Sequence, residues 1–369
     1  MPRFGGRAKI GKMKKISKKV LVAMSGGVDS SLAAYLLKQA GHDVTGVTMC
    51  LGIKQEGDRA SCCGGDAVDD AKHVCGQLGI PHFVLDFASL MEELVIGKFT
   101  SEYLKGRTPN PCVDCNRYLK FGALLNKARG IGFDSLATGH YARIEHDGAR
   151  WRMLRSADAI KDQTYFLYPV LAADLPSILF PLGGLTKDKV RKLAMDAGLH
   201  VAHKPESQDI CFTPGGDYGR VFSDRQLNAP AGDIVDREGK ILGRNRGIIH
   251  YTVGQRGGLG VSAKHPFYVL EINAQKNQVV VGRKEDLLSS GLIAGELNLL
   301  YDNFSGQVEA KIRYRKKPAP CIVKRDGQKL IVEFKEKQEA ITPGQAVVFY
   351  NGDEVLGGGK IESVIRETG

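Results

Sequence analysis

Hydrophobic and polar positions follow two regimes along this chain of 369 residues. In the first half, short continuous apolar runs alternate with stretches whose apolar residues recur at helical spacing. Val20 to Ala23 has the character of a buried parallel strand, and Ser31 to Ala40 carries Leu32, Leu36, Leu37 and Ala40 on one helical face before stopping at Gly41. The same pattern predicts strands at Val44–Met49, Pro81–Asp86 and Phe133–Thr138, and helices at Ala67–Leu78, Ser89–Lys105 and Lys120–Ala128. Thr186 caps a further helix, in which Val190, Leu193, Ala194 and Ala197 form the apolar stripe and Gly198 the stop. Repeated strand–helix units predict a Rossmann-like, doubly wound parallel sheet that binds ligands at the carboxyl ends of its strands.

From Pro214 onward glycine, proline and short β runs take over. Tyr268 to Gly282 reads as a hairpin. Glu309–Arg315, Pro320–Lys324, Leu330–Phe334 and Ala346–Tyr350 read as strands, with tight turns at Asp326-Gly327 and Asn351-Gly352. A small antiparallel β-barrel is the expectation for the C-terminus. The division expected is a basic arm over 1–18, an α/β domain over 19–213, a central domain over 214–285 and the barrel over 290–369, in keeping with a length too great for one core.

Composition changes this picture in two places. The formal charge is +11, but residues 1–19 hold eight lysines and arginines and no acidic residue, which leaves only +3 for the body. The arm reads as a solubilising tail, or as sequence upstream of a start at Met13, rather than as the main nucleic-acid surface. There is no apolar run of membrane-spanning length and no secretion signal, so a cytoplasmic enzyme without a membrane partner is expected. Eight cysteines, grouped as Cys62-Cys63 and Cys112-x-x-Cys115, do not form a disulfide scaffold; reactive thiols or a metal site fit them better, and Cys62 and Cys63 read as loop thiols.

The candidate chemistry begins at Ala23-Met24-Ser25-Gly26-Gly27-Val28-Asp29-Ser30, between the first strand and helix. The two glycines let the backbone turn and approach a ligand, and serine hydroxyls stand where a helix N-terminus offers unpaired N–H groups to an anion. Asp29 beside a phosphate implies an intervening cation, so it reads as a Mg²⁺ handle. The loop lacks the lysine of a Walker motif and the spacing of a dinucleotide turn. Met49 could pack on an adenine or be plain core. Gly106-Arg-Thr-Pro-Asn110-Pro111-Cys112-Val-Asp-Cys115-Asn116 reads as a stiff loop, since two prolines flank Asn110. Gly139-His140 follows a strand end. Lys161-Asp162-Gln163 adjoins Tyr165 and Phe166, Cys211 offers another thiol, and Gly254 to Gly260 is a glycine-rich basic loop. Lys311, Arg313, Arg315, Lys316 and Lys317, with Tyr314 among them, make a basic ribbon suited to RNA.

Taken together, Ser25-Gly-Gly-Val-Asp-Ser30, Gly106-Arg-Thr-Pro-Asn-Pro111, Cys115-Asn116, Ala137-Thr-Gly-His-Tyr141, Lys161-Asp-Gln163, Gly254-Gln-Arg-Gly257 and Thr342-Pro-Gly-Gln345 resemble, in order, the tRNA-specific 2-thiouridylases of the ATP-pyrophosphatase superfamily. The resemblance implies a pyrophosphatase domain, a small central domain and a C-terminal β-barrel. It implies replacement of oxygen by sulfur at C2 of the wobble uridine in tRNAs for lysine, glutamate and glutamine, with ATP, Mg²⁺ and a sulfur donor or persulfide relay protein. By position it makes Cys115 the nucleophile and Cys211 the persulfide carrier, and lays ATP on Ala23 to Ser30, Met49 and Gly139. It sets Asn110, Pro111 and Cys112 beside the target base, and His140, Lys161, Asp162, Gln163, Arg313, Tyr314 and Gln345 against tRNA. Some members carry aspartate where this chain has Cys112. Two schemes therefore stand side by side: a persulfide pair, or Cys112, Cys115 and Cys211 as three ligands of a [4Fe–4S] cluster. A small-molecule ligase of the same superfamily would share the nucleotide loop but need neither the thiols nor the basic barrel.

Overall fold

Short runs of β-branched and aliphatic residues build a five-stranded parallel sheet in the computed structural model, which describes residues 17–53, 65–206, 210–213, 218–261, 264–301 and 306–366. Its strands are β1 (Lys19–Ala23), β2 (Asp43–Cys50), β3 (His82–Asp86) and β4 (Ser135–Ala137); a hairpin of β5 (Ala142–His146) and β6 (Trp151–Arg155) intervenes before β7 (Ile178–Leu179). The sheet order is β3-β2-β1-β4-β7, and every pairing is parallel. The two-residue period of β1 shows why the run is apolar throughout: Leu21 packs into a cluster with Val47, Phe99 and Leu136, while Val20 and Val22 pack into another with Val44 and Ala71. Helix α1 (Val28–Gln39) starts directly after β1, and α2 (Gly65–Leu78) lies beside β2 and β3.

A second sheet, in the order β10-β11-β8-β9, joins β8 (Gly232–Val235), β9 (Ile241–Asn245), β10 (Tyr268–Asn273) and β11 (Gln278–Gly282) around its own core of Ile234, Val269, Val279 and Val281. The expected hairpin is the β10–β11 pair. The C-terminal strands β12 (Leu288–Leu299), β13 (Gly306–Lys311), β14 (Ala319–Asp326), β15 (Lys329–Glu339), β16 (Ala346–Asn351) and β17 (Glu354–Ile365) form the antiparallel barrel, closed by pairing of β12 with β17. The β5–β6 hairpin, far away in sequence, extends that sheet through Leu154 opposite Glu354. Barrel and α/β layers are therefore joined by main-chain pairing as well as by side chains.

One local expectation changes. The segment holding Cys112 and Cys115 is helical from Pro111 to Gly130, with Asn110 extended at the N-cap and Pro111 in the first helical position. Proline is favoured there because its N–H would be unpaired in any case and its φ is already helical. The second proline of the motif thus starts a helix rather than preventing one. Residues 1–16, the Cys62-Cys63 loop and Ser207 to Asp209 lie outside the described residues.

Candidate active site

The nucleotide loop is shaped by close backbone approaches. Gly26 has φ +67°, and a Cβ there would lie 2.4 Å from the carbonyl oxygen of Ala67, so only glycine fits. Gly27 is the N-cap of α1 and supplies no side-chain cap, which leaves the first-turn N–H groups without a side-chain partner. The Ser25 amide donates to Ser30 Oγ at 3.1 Å, and Ser30 Oγ donates to the Gly27 carbonyl at 3.2 Å, so the loop holds itself in a curve with Ser25 exposed. Gly139, at the end of β4, abuts it: a Cβ on Gly139 would sit 2.7 Å from the Ser30 nitrogen. Met24 is buried core and Met49 is half-buried at the end of β2. Ala23 to Ser30, Met49 and Gly139 therefore meet at one sheet edge.

Asp29 is not isolated there. Both its oxygens accept hydrogen bonds from Lys187 Nζ, at 2.7 and 2.8 Å, and Oδ1 also accepts from the Tyr141 hydroxyl at 2.8 Å. Lys187 is buried, and its amine also meets Glu206 at 2.9 Å, which in turn accepts from Lys161 at 2.6 Å. Asp29 thus has a cation of the chain's own beside it. Lys187 stands in the first turn of the helix Lys187–Asp196, where a basic residue opposes the macrodipole. That mismatch was the sequence signal that could have singled it out.

Burial alone would raise the Glu206 carboxyl, but hydrogen bonds from Lys161 and Lys187 hold it down at about 2, against 4.5 ordinarily. A carboxylate depressed on folding adds stability above its unfolded value and gives it up as pH falls toward the folded one. Thermal unfolding scanned from pH 5 to 2 is expected to show a steeper loss in the native protein than in Glu206→Gln. Superimposable pH profiles would show that this network contributes nothing.

The Pro111 helix carries the thiols. Cys112 is exposed and Cys115 half-buried, and Cys211 is exposed near enough for the other two to act on it electrostatically. Although Cys112 and Cys211 reach solvent, the protein atoms crowded around the three sulfurs disfavour the thiolates, pushing Cys112 and Cys115 up and Cys211 to about 12; Lys120 is the cation that acts against this on all three. Residues 115–124 form a π-helical stretch, whose longer turn sets residue 120 over residue 115. No periodicity in the sequence announces that turn, and Lys120 was missed for that reason. Its Nζ donates to His140 Nε2 at 3.4 Å. Burial first, and then Lys120, hold the His140 ring well below its ordinary value and hence neutral, with Nδ1–H donating to Thr138 Oγ1 at 2.6 Å. Among the described residues no three His, Cys, Asp or Glu side chains are disposed to hold a metal ion.

Several residues read as RNA contacts use their polar atoms within the chain. Asp162 is buried and accepts from Ser156 N and Thr164 Oγ1; Gln163 Oε1 accepts from Tyr141 N. Gln345 Nε2 donates to the Thr108 and Pro109 carbonyls at 2.9 and 3.3 Å, just ahead of the Pro111 helix. Arg313 donates from one guanidinium nitrogen to the carbonyls of Val253 and Ala340 and to Thr342 Oγ1, tying barrel to central domain. Lys161 is half-buried against Glu206, and the Tyr314 ring packs 4.5 Å from that of Phe166. Because three acceptors lose their donor, Arg313→Ala is expected to cost about 2–3 kcal/mol of stability. A denaturant midpoint unchanged by the substitution would contradict that structural role.

Comparison with known proteins adds what geometry alone does not. Residues 18–215 match the family described as tRNA methyl transferase HUP domain, 220–283 the tRNA methyl transferase PRC-barrel domain and 289–361 the aminomethyltransferase beta-barrel domain. The tRNA-specific 2-thiouridylase MnmA 1 of Syntrophus aciditrophicus is 53% identical over 98% of this chain and 97% of its own. The chain belongs to the tRNA-specific 2-thiouridylase family. The relative from Geobacter metallireducens is 49% identical over 96% of this chain and 99% of its own, and that from Carboxydothermus hydrogenoformans 50% identical over 94% and 98%. As in the family, the parallel-sheet domain is followed by a small central domain and a closed β-barrel, and the chain is a tRNA-modifying sulfurtransferase that binds ATP. Among the described residues no helix is long and apolar enough to cross a membrane.

Proposed function

We propose that this 2-thiouridylase adenylates the C2 oxygen of the wobble uridine in tRNAs for lysine, glutamate and glutamine, and then replaces that oxygen with sulfur carried on a cysteine. The observation that carries the reading is the convergence of a phosphate-binding helix N-terminus, a buried lysine–carboxylate pair and three thiols on one edge of the sheet. ATP lies on Ala23 to Ser30 with its adenine toward Met49 and its pyrophosphate toward Lys187. Asp29 is about one-third exposed and can share an oxygen with a Mg²⁺ ion, which would help to neutralise the departing pyrophosphate.

A uridine C2 carbonyl is a poor electrophile until its oxygen carries AMP. The terminal sulfur of a Cys211 persulfide attacks C2, the C2–O bond breaks and AMP departs. The Cys115 thiolate then attacks Cys211 Sγ, breaking the persulfide S–S bond, leaving C2=S on the uridine and a Cys115–Cys211 disulfide that a dithiol reductant reopens. Lys120 favours the thiolate against the burial that opposes it. Asn110, Pro111 and Cys112 border the base, and Lys161, Tyr314 and the remaining ribbon residues meet tRNA phosphate and bases. Sulfur reaches Cys211 from a donor or relay protein.

Supplying ATP, unmodified tRNA and a persulfide donor tests the reading. AMP, pyrophosphate and 2-thiouridine are expected in equal amounts. ADP as the product, or AMP formed equally well without tRNA, would point to another member of the superfamily.

A further inference from the structure

The segment leading into the nucleophile helix is gripped by the barrel. Thr108 N donates to the Pro343 carbonyl at 2.9 Å, and Arg107 donates to the Glu362 carbonyl at 3.2 Å. Gly344 has φ +92°, and a Cβ there would stand 2.9 Å from Thr108 N, so the barrel turn touches this segment backbone to backbone. Behind the same helix runs a chain of charged groups that crosses from one domain to the other. Asp114, the residue before Cys115, pairs with Lys98 at 2.8 Å; Lys98 meets Glu296 of β12 at 3.4 Å. Glu296 meets Lys360 of β17 at 3.2 Å, and Lys360 returns to Glu102 of the α/β domain at 2.5 Å.

The two ends of this chain are built into the joint, while Lys98 and Glu296 between them reach solvent, at 25% and 44% exposure. The Glu102, Asp114 and Lys360 side chains are all 10% exposed or less, and a cavity of about 20 Å³, room for one water, is lined by Asp114 and Lys360 together with Lys98, Glu296 and Asn110. Glu296 adopts φ +45° at an irregularity in β12, the kind of bulge that re-aims a side chain. Buried charges without full partners are costly, so the four links hold together only while the barrel is seated.

We infer that Lys360 is a positioning residue for the nucleophile: the barrel, besides meeting tRNA, is one wall of the mould that fixes the Pro111 helix, and Lys360 locks it through Glu102, Glu296, Lys98 and Asp114. The inference rests on Cys115 being the nucleophile. A seated barrel is then a condition for reaction and not merely for RNA binding.

Lys360→Met, Lys360→Arg and Glu102→Gln test it, the last breaking the same link without altering the barrel. At saturating tRNA and ATP, Lys360→Met is expected to lower kcat about tenfold or more, since small misplacements of reacting groups are expensive, while tRNA affinity stays within about twofold. Iodoacetamide labelling of each cysteine, read by peptide mass spectrometry, is expected to quicken at Cys115 in Lys360→Met and Glu102→Gln. Cys321, buried in the barrel, should stay slow, and Lys360→Arg should resemble the native protein in both respects. The double variant should be no worse than the poorer single one. Unchanged labelling of Cys115, labelling of Cys321 in parallel with it, or a loss confined to tRNA affinity would overturn the proposal. Cys115→Ser separates the two readings: if it remains active while Lys360→Met still frees residue 115 for labelling, the lock stands and the nucleophile assignment falls.

Discussion

In a single turnover without added thiol, Cys115→Ser and Cys211→Ser are each expected to abolish 2-thiouridine formation, a loss of at least about a thousandfold, with ATP and tRNA affinity little changed. The argument is one of electron balance. Transfer of a persulfide sulfur to an adenylated carbon leaves the carrier joined to the uridine, and only a second thiol can release it by forming a disulfide. Neither serine can be the carrier or close that disulfide. The two variants should differ in what they accumulate: Cys115→Ser should stall with tRNA linked to Cys211 through a disulfide, which dithiothreitol releases, whereas Cys211→Ser should form no linkage. Cys112→Ser should retain substantial activity in iron-free protein. If Cys112→Ser were as inactive as the other two, and native activity required anaerobic loading with iron and sulfide, a three-cysteine cluster would be the better account.

Asp29→Ala has the second largest expected effect. The carboxylate fixes Lys187 through both oxygens and accepts from Tyr141, so its loss removes the alignment of the buried cation with the phosphate loop. Pyrophosphate release is expected to fall by about two to three orders of magnitude, the usual scale for an electrostatic contact to developing charge. Lys187 keeps Glu206 as a partner, so the variant should remain folded and bind tRNA as the native protein does. Equal pyrophosphate release in Asp29→Ala and native protein would remove Asp29 and Lys187 from the mechanism together.

What the sequence revealed, and what it hid, follows from the range of the forces involved. The parallel sheet, the glycine loop and the Thr186 helix cap are local features, set by periodicity and backbone freedom within a few residues, and all are present. Strand positions in the barrel were legible from turn residues such as Asp326-Gly327, between β14 and β15. The partners of those strands were not: nothing near Trp151 to Arg155 states that this hairpin will join β17, about 200 residues later. In the same way the basic ribbon around Tyr314 marks Arg313 as an RNA ligand, and the family resemblance alone so marks Gln345, but neither reveals the internal hydrogen bonds the two side chains make. In space Arg313 donates to the Val253 carbonyl of the central domain and Gln345 to the Thr108 carbonyl of the α/β domain. Lys187 meets Asp29 only through tertiary folding, and Lys120 reaches the thiols only because a π-helical turn replaces an α-helical one.

The central claim is that one chain couples AMP formation to delivery of a cysteine-borne sulfur. The most direct measurement is a single turnover with protein loaded in advance with a Cys211 persulfide, freed of any other sulfur source and of iron, then mixed with ATP and unmodified tRNA. One 2-thiouridine and one AMP per persulfide consumed, with a Cys115–Cys211 disulfide appearing at the same rate, is the predicted result. Formation of AMP with the persulfide intact, or of 2-thiouridine with both cysteines still reduced, would contradict it.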